Sequence, residues 1–415
     1  LPNFTTATEW MPYVGWHDGG AGSSTTFYAN INFGNHSFQG TVPTGFKKLC
    51  SNNIPSTTPI YNPKHHFHTL TYTGNASNGH QITGLDFTPD FVWIKVRSTA
   101  GSHYLVDSVR GLGTGDSYRA LYTEGASVEY AGENDQLRSL NHGGFTLDDN
   151  TDNSFYINRN SETYVAWCWK AGGAPVTNNE GTVTASVSAN PQAGFSMVKY
   201  TGSGGHVTRG HGLGRKPQWI IMKTTSHTGN WWFNLDDSAI PAAGYDRNYL
   251  RIDNTAGVEG PNSNIAPNQA PDGSAAITDS IYSIGGDMNE SGKEYVNYLW
   301  ASVPGYSKIG SYTGNANNDG PFIYTGFPVA WLMIKRASGT GPWNIWDISR
   351  EPNGNPRDKN LDAATSAYED NGRTIDFYSN GFKIREANNA HNRSGGTYIY
   401  IAFAEHPFVG DGTNP

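Results

Sequence analysis

Aromatic and polar side chains that could bind a carbohydrate are concentrated in two segments. Trp231-Trp232-Phe233 and Trp343-Asn344-Ile345-Trp346 are both dense in tryptophan. A sugar ring can stack on an aromatic face while nearby polar groups bind its hydroxyls. In an extended segment, alternate side chains face opposite sides, so at least one tryptophan of each segment is expected in the core. We therefore predict glycan contacts at Trp232 and at the nearby His227.

Acidic side chains raise a second possibility, a polysaccharide-degrading enzyme. A glycosidase needs two carboxyl groups about 5–9.5 Å apart across a cleft. Asp236 and Asp237 are sequence neighbours, so in a strand their side chains point to opposite faces. The chain also lacks the Gly-x-Ser-x-Gly, P-loop and zincin motifs. We predict that the protein is not an enzyme and has no catalytic residues, with a polysaccharide-degrading enzyme as an alternative.

Two segments contain residue types that bind metals. His65, His66 and His68 could ligate a transition metal, but the same pattern fits the start of a strand at a domain boundary. The segment Asp148–Asn153 is rich in the oxygen ligands that calcium prefers, yet it lacks the glycine and distal glutamate of an EF-hand loop. Asp and Asn are also common turn residues. We predict no metal site and no cofactor.

The segments that must position these side chains recur three times. Each copy opens with Tyr-Thr-Gly and has a lysine 23 residues after the tyrosine. The pairs are Tyr72 and Lys95, Tyr200 and Lys223, and Tyr312 and Lys335. Each copy closes with an aromatic run, at Thr163–Trp169, Glu294–Trp300 and Thr397–Phe403. Because a unit of about 100 residues can bury its own core, the pattern predicts tandem domains rather than short solenoid repeats.

Further landmarks recur within the copies. An aspartate follows the lysine by 12 residues in the first and third copies, at Asp107 and Asp347. Its recurrence predicts a structural role, such as fixing a turn. The unbroken apolar runs Phe91–Ile94 and Trp219–Met222 are typical of central strands that are covered on both faces.

The composition predicts an all-β protein, and the repeats predict tandem β-sandwich domains. Short linkers between them favour a rigid rod or a packed cluster, and we predict an elongated row. Glycine is abundant, at 50 of 415 residues, aromatic residues make up 13% and charged residues only 15%. The net charge of −8 argues against a nucleic-acid partner, which requires a concentrated basic surface. The chain contains no uninterrupted stretch of about 18 apolar residues, so no membrane insertion is predicted. Cys50 and Cys168 fall in different predicted domains, so neither a disulfide nor a cysteine zinc site is expected.

Four regions follow from the repeats and the Gly- and Pro-rich joints between them. We predict an assembly segment with a linker at residues 1–64, repeat 1 at 65–173, a linker strand with repeat 2 at 174–305, and repeat 3 at 306–415. The absence of an initiator methionine leads us to expect that the chain is part of a longer protein.

Several strings in the sequence resemble a known family. "GLDFTPDFVWIK", "HYLVDSVRG" and "TYVAWCWKAGG" are similar to a module of virion proteins from marine bacteriophages of the cyanophage type. The string "GGTYIYIAFAEHPFVGDG" resembles the carboxy-terminal module of the same proteins. Upstream, "ANINFGNHSFQGTVPTGFKKLCSNNIP" resembles the last strands of a SPRY domain, a concanavalin-like sandwich. The resemblance implies that residues 1–64 contain the carboxy-terminal remnant of such a domain, as the alternative to an assembly segment, and that the sandwiches are of concanavalin or jelly-roll type.

The resemblance implies a structural protein of the virion, located in an external appendage such as a tail fibre. It would attach to the host surface by non-covalent binding, with a surface glycan as a possible partner. We expect a homo-oligomer, with a trimer as the specific prediction, and contacts with other virion proteins. A capsid-associated structural or decoration protein is the alternative within the same class.

Overall fold

The computed structural model describes residues 60–406, with gaps at 112–118, 131–135, 150–156, 236–247 and 266–269. These residues belong to one compact unit, Thr57–Phe408. Residues 1–59, which include most of the predicted SPRY-like segment and Cys50, lie outside the described part. So do Asp236, Asp237 and residues 150–153 of the predicted calcium loop.

Repeat 1 is formed by seven strands and begins with a short 3-10 helix at Pro63–His65. Its strands are β1 (Phe67–Thr73), β2 (His80–Thr83), β3 (Phe91–Val96), β4 (Tyr104–Asp107), β5 (Leu137–Asn141), β6 (Gly144–Leu147) and β7 (Thr163–Trp169). The order β1-β7-β3-β4 forms a large antiparallel sheet, and β2-β6-β5 forms a small one. Opening strand, closing strand and lysine strand are therefore neighbours.

Repeat 2 extends the same plan with two strands from the linker. Its strands are β8 (Val176–Asn178), β9 (Ala185–Asn190), β10 (Phe195–Thr201), β11 (Val207–Gly210), β12 (Trp219–Thr224), β13 (Trp232–Leu235), β14 (Leu250–Arg251), β15 (Ile281–Ile284) and β16 (Glu294–Trp300). The large sheet has the order β14-β13-β12-β16-β10-β9-β8, and β11 pairs with β15. A 3-10 helix, Gly286–Met288, precedes the closing strand.

Repeat 3 returns to the simpler arrangement. Its strands are β17 (Ser307–Thr313), β18 (Phe322–Tyr324), β19 (Val329–Arg336), β20 (Trp343–Asp347), β21 (Leu361–Asp362), β22 (Ile375–Tyr378), β23 (Gly381–Ile384) and β24 (Thr397–Ala404). They form the sheets β17-β24-β19-β20-β21 and β18-β23-β22. A single α-helical turn, α1 (Asn389–Asn392), lies before β24. In the described residues, none of the helices has the length and apolar character needed to cross a membrane.

Each large sheet is buried on both faces, which explains the unbroken apolar runs. On β3, Val92 and Ile94 face the small sheet and join the core of repeat 1. Phe91 and Trp93 face the other way and join a second core. Repeats 2 and 3 have their own equivalents of the first core. The prediction of central strands covered on both faces is therefore confirmed.

The second core is shared by all three repeats. It contains Trp167 of repeat 1, Trp219 of repeat 2 and Trp331 of repeat 3, together with many other buried apolar residues. Phe67 on β1 stacks on Phe403 on β24, with ring centroids 4.8 Å apart, so the first and last strands of the large sheets meet. The all-β class is confirmed, but within this unit the repeats pack around a common core instead of following one another in an elongated row.

We expect the three repeats to unfold together, because each depends on the shared core. The ring of Trp331 contacts Phe67, Trp169 and Phe403 at centroid distances of 5.7–6.1 Å. Truncation in W331A should lower the free energy of unfolding by about 3–5 kcal/mol. The midpoint of urea unfolding should shift equally whether it is followed by tryptophan fluorescence or by circular dichroism. Both signals should show a single transition.

The matched control is V176A, since Val176 lies on an edge strand and is exposed. It should change the unfolding free energy by no more than about 0.5 kcal/mol. Two separate transitions in the W331A protein would contradict the shared core.

Candidate functional site

The recurring lysines connect the repeats to one another. Each is fully buried and donates hydrogen bonds to two backbone carbonyls, one in its own repeat and one in another. The acceptors are Gly101 O (2.7 Å) and Ser366 O (3.2 Å) for Lys95, Gly229 O (2.6 Å) and Ala126 O (3.4 Å) for Lys223, and Gly341 O (2.5 Å) and Thr255 O (2.9 Å) for Lys335. The strongest signal in the sequence therefore marks an assembly contact.

A second set of contacts lies eight residues after each lysine, where a ring nitrogen donates to a carbonyl of another repeat. The pairs are His103 Nε2 and Asp362 O (3.0 Å), Trp231 Nε1 and Tyr122 O (2.7 Å), and Trp343 Nε1 and Arg251 O (2.8 Å). His103 can act as the donor because its Nδ1 accepts the indole N–H of Trp93 at 2.8 Å. The glycine between lysine and ring donates its backbone N–H to the same neighbouring loop in each repeat, at 2.8 Å.

These contacts run in a closed order. Repeat 1 donates to repeat 3, repeat 2 donates to repeat 1, and repeat 3 donates to repeat 2. The three repeats are thus held in a ring of equivalent interfaces, as the subunits of a cyclic oligomer are.

Burial changes the acid–base chemistry of the lysines. Removal from water disfavours the charged ammonium, which lowers the pKa of Lys95 and of Lys223 to about 8 and that of Lys335 to about 7. Their hydrogen-bond partners are carbonyl oxygens, and the nearby carboxylates of Glu124, Asp253 and Asp362 offset only part of the cost of burial.

The recurring aspartates also support the interfaces between repeats. The Asp107 carboxylate is fully buried and accepts hydrogen bonds from Arg110 Nε at 2.5 Å and from the Tyr298 hydroxyl of repeat 2 at 2.6 Å. Asp347 accepts from Arg350 Nε at 2.6 Å and from Trp167 Nε1 of repeat 1 at 3.1 Å. This geometry agrees with the structural role predicted for both residues.

The Tyr-Thr-Gly motif has a local role within each repeat. The opening tyrosine stacks on the closing tyrosine, and its hydroxyl donates to the carbonyl of the residue before a buried asparagine. The stacked pairs are Tyr72 and Tyr164 (4.8 Å), Tyr200 and Tyr295 (5.2 Å), and Tyr312 and Tyr398 (4.9 Å). Glycine is required after them because a Cβ on Gly74 would lie only 2.1 Å from Arg159 O.

The predicted glycan contacts have separate surroundings. Trp232 is half-buried against the core of repeat 2, with the ring of Tyr249 edge-on at 4.9 Å. His227 lies between β12 and β13, with Nδ1 2.7 Å from Thr224 Oγ1 and the ring edge-on to Tyr295. Trp232 and His227 do not contact each other, so they do not form one common site. Glycan binding at each of the two residues stays a prediction.

Most of the tryptophans singled out from the sequence are core residues. Trp231 is fully buried, as the alternation argument requires for one member of its pair. Trp343 and Trp346 are both buried, so the second segment leaves no tryptophan for a surface ligand. β20 is covered on both faces, and alternation therefore places its two tryptophans in two different cores.

The candidate metal ligands have protein partners instead. His66 Nδ1 lies 3.0 Å from Asn190 Nδ2, and burial lowers the pKa of His66 to about 4. The buried Asp148 carboxylate accepts from Arg138 Nε at 3.1 Å. Across the described residues, no three His, Cys, Asp or Glu side chains are grouped as metal ligands. Cys168 is buried, and burial raises the pKa of its thiol.

Two cavities lie where repeats meet. One, of about 270 Å³, is lined by Lys64, His68 and Ser349 together with Arg357 and Glu405. Another, of about 520 Å³, lies between Val109 of repeat 1 and strands β9 and β10 of repeat 2. The first has a single carboxylate in its lining and the second has none. Neither cavity offers the pair of carboxyl groups that a glycosidase needs.

The described surface has one cluster of exposed aromatic rings on a sheet, which we name the aromatic face. It comprises Phe322, Tyr324 and Tyr378 on the outer surface of β18-β23-β22, with 43%, 38% and 40% of each residue exposed. Phe322 and Tyr378 lie edge to face with centroids 5.9 Å apart. Gly381 pairs with Tyr324 on one side and Tyr378 on the other, and Phe322 lies across it.

Charged side chains surround the aromatic face in compensating pairs. Lys383 Nζ lies 2.6 Å from Asp319 Oδ1, and Arg385 Nε lies 3.2 Å from Asp376 Oδ2. The Tyr378 hydroxyl donates to Asp376 Oδ2 at 3.0 Å. The Lys308 ammonium lies 5.3 Å from the Tyr324 ring centroid and adds one positive charge. The face therefore combines apolar rings with hydrogen-bonding groups of both signs.

A family model covers this whole three-repeat unit, at residues 62–407. The chain belongs to the family described as Domain of unknown function (DUF7483). The family domain is thus the ring of three repeats rather than a single repeat. No curated protein matches the chain.

The sequence contained a signal for the aromatic face that reasoning about tryptophans missed. The two small sheets can be aligned, because Ile82 pairs with Phe145 in repeat 1 as Ile323 pairs with Phe382 in repeat 3. In this alignment the positions of the aromatic face are occupied in repeat 1 by Gln81, Thr83 and Asn141. Comparing the copies position by position, instead of searching for dense aromatics, would have isolated Phe322, Tyr324 and Tyr378.

Lysine burial predicts that the family domain becomes more stable as the pH rises from about 7.5 to about 9, below the pH at which the buried tyrosines, whose pKa is raised by burial, begin to oppose the effect. In this range the unfolded chain binds more protons than the folded one, because the folded pKa values of about 7 to 8 lie below the ordinary value of 10.5. The free energy of unfolding must then increase with pH. Urea midpoints at about pH 7.5, 8.2 and 9.0 should follow this trend.

The variant K335M isolates one contribution to this trend. It should reduce the slope by up to about 1.4 kcal/mol per pH unit, the value for one proton. K216M, which removes an exposed lysine, should leave the slope unchanged. Parallel pH profiles for wild type and K335M would contradict the lowered pKa assigned to Lys335.

The buried aspartate gives a further prediction about stability. In D107N the neutral amide leaves the buried Arg110 guanidinium without its closest counter-charge, although Glu129 remains 3.1 Å away. The free energy of unfolding should fall by about 3 kcal/mol. D86N, at an exposed carboxylate 3.6 Å from His65, should have an effect below about 0.5 kcal/mol. Equal losses in the two variants would argue against the structural assignment.

Proposed function

We propose that the protein is a structural component of a bacteriophage virion, most specifically a tail fibre or related external appendage that attaches to the host surface by non-covalent binding. The observation that carries the proposal is the use of the recurring residues. The lysines, the ring donors and the aspartates hold three repeats together. A rigid scaffold with an exposed binding surface fits attachment better than it fits catalysis.

The resemblance of the repeats to virion modules supports the same class. It extends over the region of the family domain, and the strings that carry it include the lysine strand Phe91–Val96 and the closing strand Thr163–Trp169. Both strands are central in the large sheet of repeat 1. The similarity thus covers residues that build the fold.

A capsid-associated structural or decoration protein is the second candidate of this class. The ring of three repeats favours the decoration protein, because a compact domain can cover part of a capsid surface. The aromatic face favours the appendage, because a small exposed patch of rings suits contact with a ligand outside the particle. A polysaccharide-degrading enzyme has less support, since Asp107 and Asp347 are already engaged by arginines.

Self-association and contacts with other virion proteins complete the proposal. A trimer of chains is the specific proposal for the appendage. One chain already contains three equivalent interfaces, so a single copy could also match a threefold position on a particle. The mass of the purified chain, measured by light scattering, separates three copies from one.

Immunogold electron microscopy of the virus that encodes this chain tests the proposal. Antibodies raised against the purified protein should label a tail-associated appendage. Antibodies against the major capsid protein serve as the positional control, and pre-immune serum as the negative control. Label spread over the capsid would favour the decoration protein, and purified particles without label would rule out both virion assignments.

A further inference from the structure

The three repeats use one surface in three different ways. This surface is the outer face of the small sheet, which in an antiparallel sheet is expected to be polar where it meets water. In repeat 1 it is polar, with Gln81 and Thr83 exposed. In repeat 3 the same positions carry Phe322 and Tyr324.

Repeat 2 shows what happens when the surface has a structural use. Its position corresponding to Phe322 is Thr208, which is buried. The Thr182 backbone N–H donates to Thr208 Oγ1 at 2.9 Å, and the Asn178 side chain packs against Gly210. The linker therefore covers this sheet, whereas among the described residues the rings of repeat 3 stay exposed.

The size of the aromatic face indicates the size of its ligand. Aromatic side chains offer about 150–250 Å² each, so three rings that are about 40% exposed present roughly 200–300 Å². A stable protein interface needs about 800 Å² on each partner. One or two sugar rings fit the smaller area.

The charges at its edge indicate a neutral ligand. A polyanion would meet the carboxylates of Asp319 and Asp376. A cationic peptide would meet the ammonium groups of Lys308 and Lys383 and the guanidinium of Arg385. Sugar hydroxyls can donate to the carboxylates and accept from the cations. The apolar face of a pyranose ring can stack on the aromatic rings between them.

We propose that the aromatic face of repeat 3 binds neutral hexose residues of a cell-surface glycan. The proposal rests on the proposed attachment function and names the ligand class for it. The rings of Phe322, Tyr324 and Tyr378 supply the stacking surface. Lys383 on the same face and the exposed Asp319, whose carboxylate lies 2.6 Å from the Lys383 ammonium, supply the hydrogen-bonding groups.

The test uses the whole chain and replaces the aromatic residues by those that repeat 1 carries on the same scaffold. The variant is F322Q/Y324T/Y378N, and the matched control is Q81A/T83A on the corresponding face of repeat 1. Binding is measured to immobilised neutral oligosaccharides of galactose, glucose and mannose, with sialylated and uronic-acid oligosaccharides as the anionic comparison. Circular dichroism checks folding, and the single variant Y324T replaces the triple variant if that one does not fold.

We expect wild type and Q81A/T83A to bind at least one neutral oligosaccharide equally well, and the triple variant to bind it at least about tenfold more weakly. Unchanged binding in the triple variant, binding confined to the anionic sugars, or no binding to any sugar would each overturn the inference. Host-cell binding keeps the two proposals separate. Equal binding of wild type and triple variant to cells would refute the aromatic face but not attachment, whereas unlabelled particles would refute the virion assignment whatever the sugar result.

Discussion

The fold depends on buried lysine side chains that donate hydrogen bonds to backbone carbonyls of a different repeat. Lys95, Lys223 and Lys335 each join their own loop to the next repeat in the ring. Removing a lysine amine from water is costly, so such a residue persists only where the surrounding carbonyls are held in place to accept its hydrogen bonds. The lysine contributes geometric specificity, because a flexible apolar side chain would fill the space without fixing which loops meet.

The sequence predicted the repeated unit but not the way in which the units associate. Strand types, the central position of Phe91–Val96 and the burial of Trp231 followed from alternation and composition, because these depend on local periodicity. The ring of interfaces depends on contacts between residues far apart in the chain, such as Lys335 and the Thr255 carbonyl, which are 80 positions apart. A backbone carbonyl can accept a hydrogen bond in any residue type, so no sequence motif in repeat 2 could identify Thr255 as the acceptor.

The candidate site was predictable only in part, for a related reason. Dense tryptophan suggested Trp232 and the Trp343–Trp346 segment, yet tryptophan is large and apolar enough that β20 uses both of its copies to fill cores. Phe322, Tyr324 and Tyr378 look ordinary one at a time. Their significance arises from three neighbouring strands that place them on one surface, and from the polar residues that repeat 1 has there instead.

The stacking of Phe67 on Phe403 has a consequence for the topology of the chain. Because β1 of repeat 1 and β24 of repeat 3 are in contact, every repeat packs against the two others. No repeat occupies a terminal position in the ring. Cutting the backbone at one joint, such as Pro304-Gly305, would remove a covalent link without freeing a repeat. The order in which the repeats are connected is then separable from their arrangement, so a circularly permuted gene could encode the same ring.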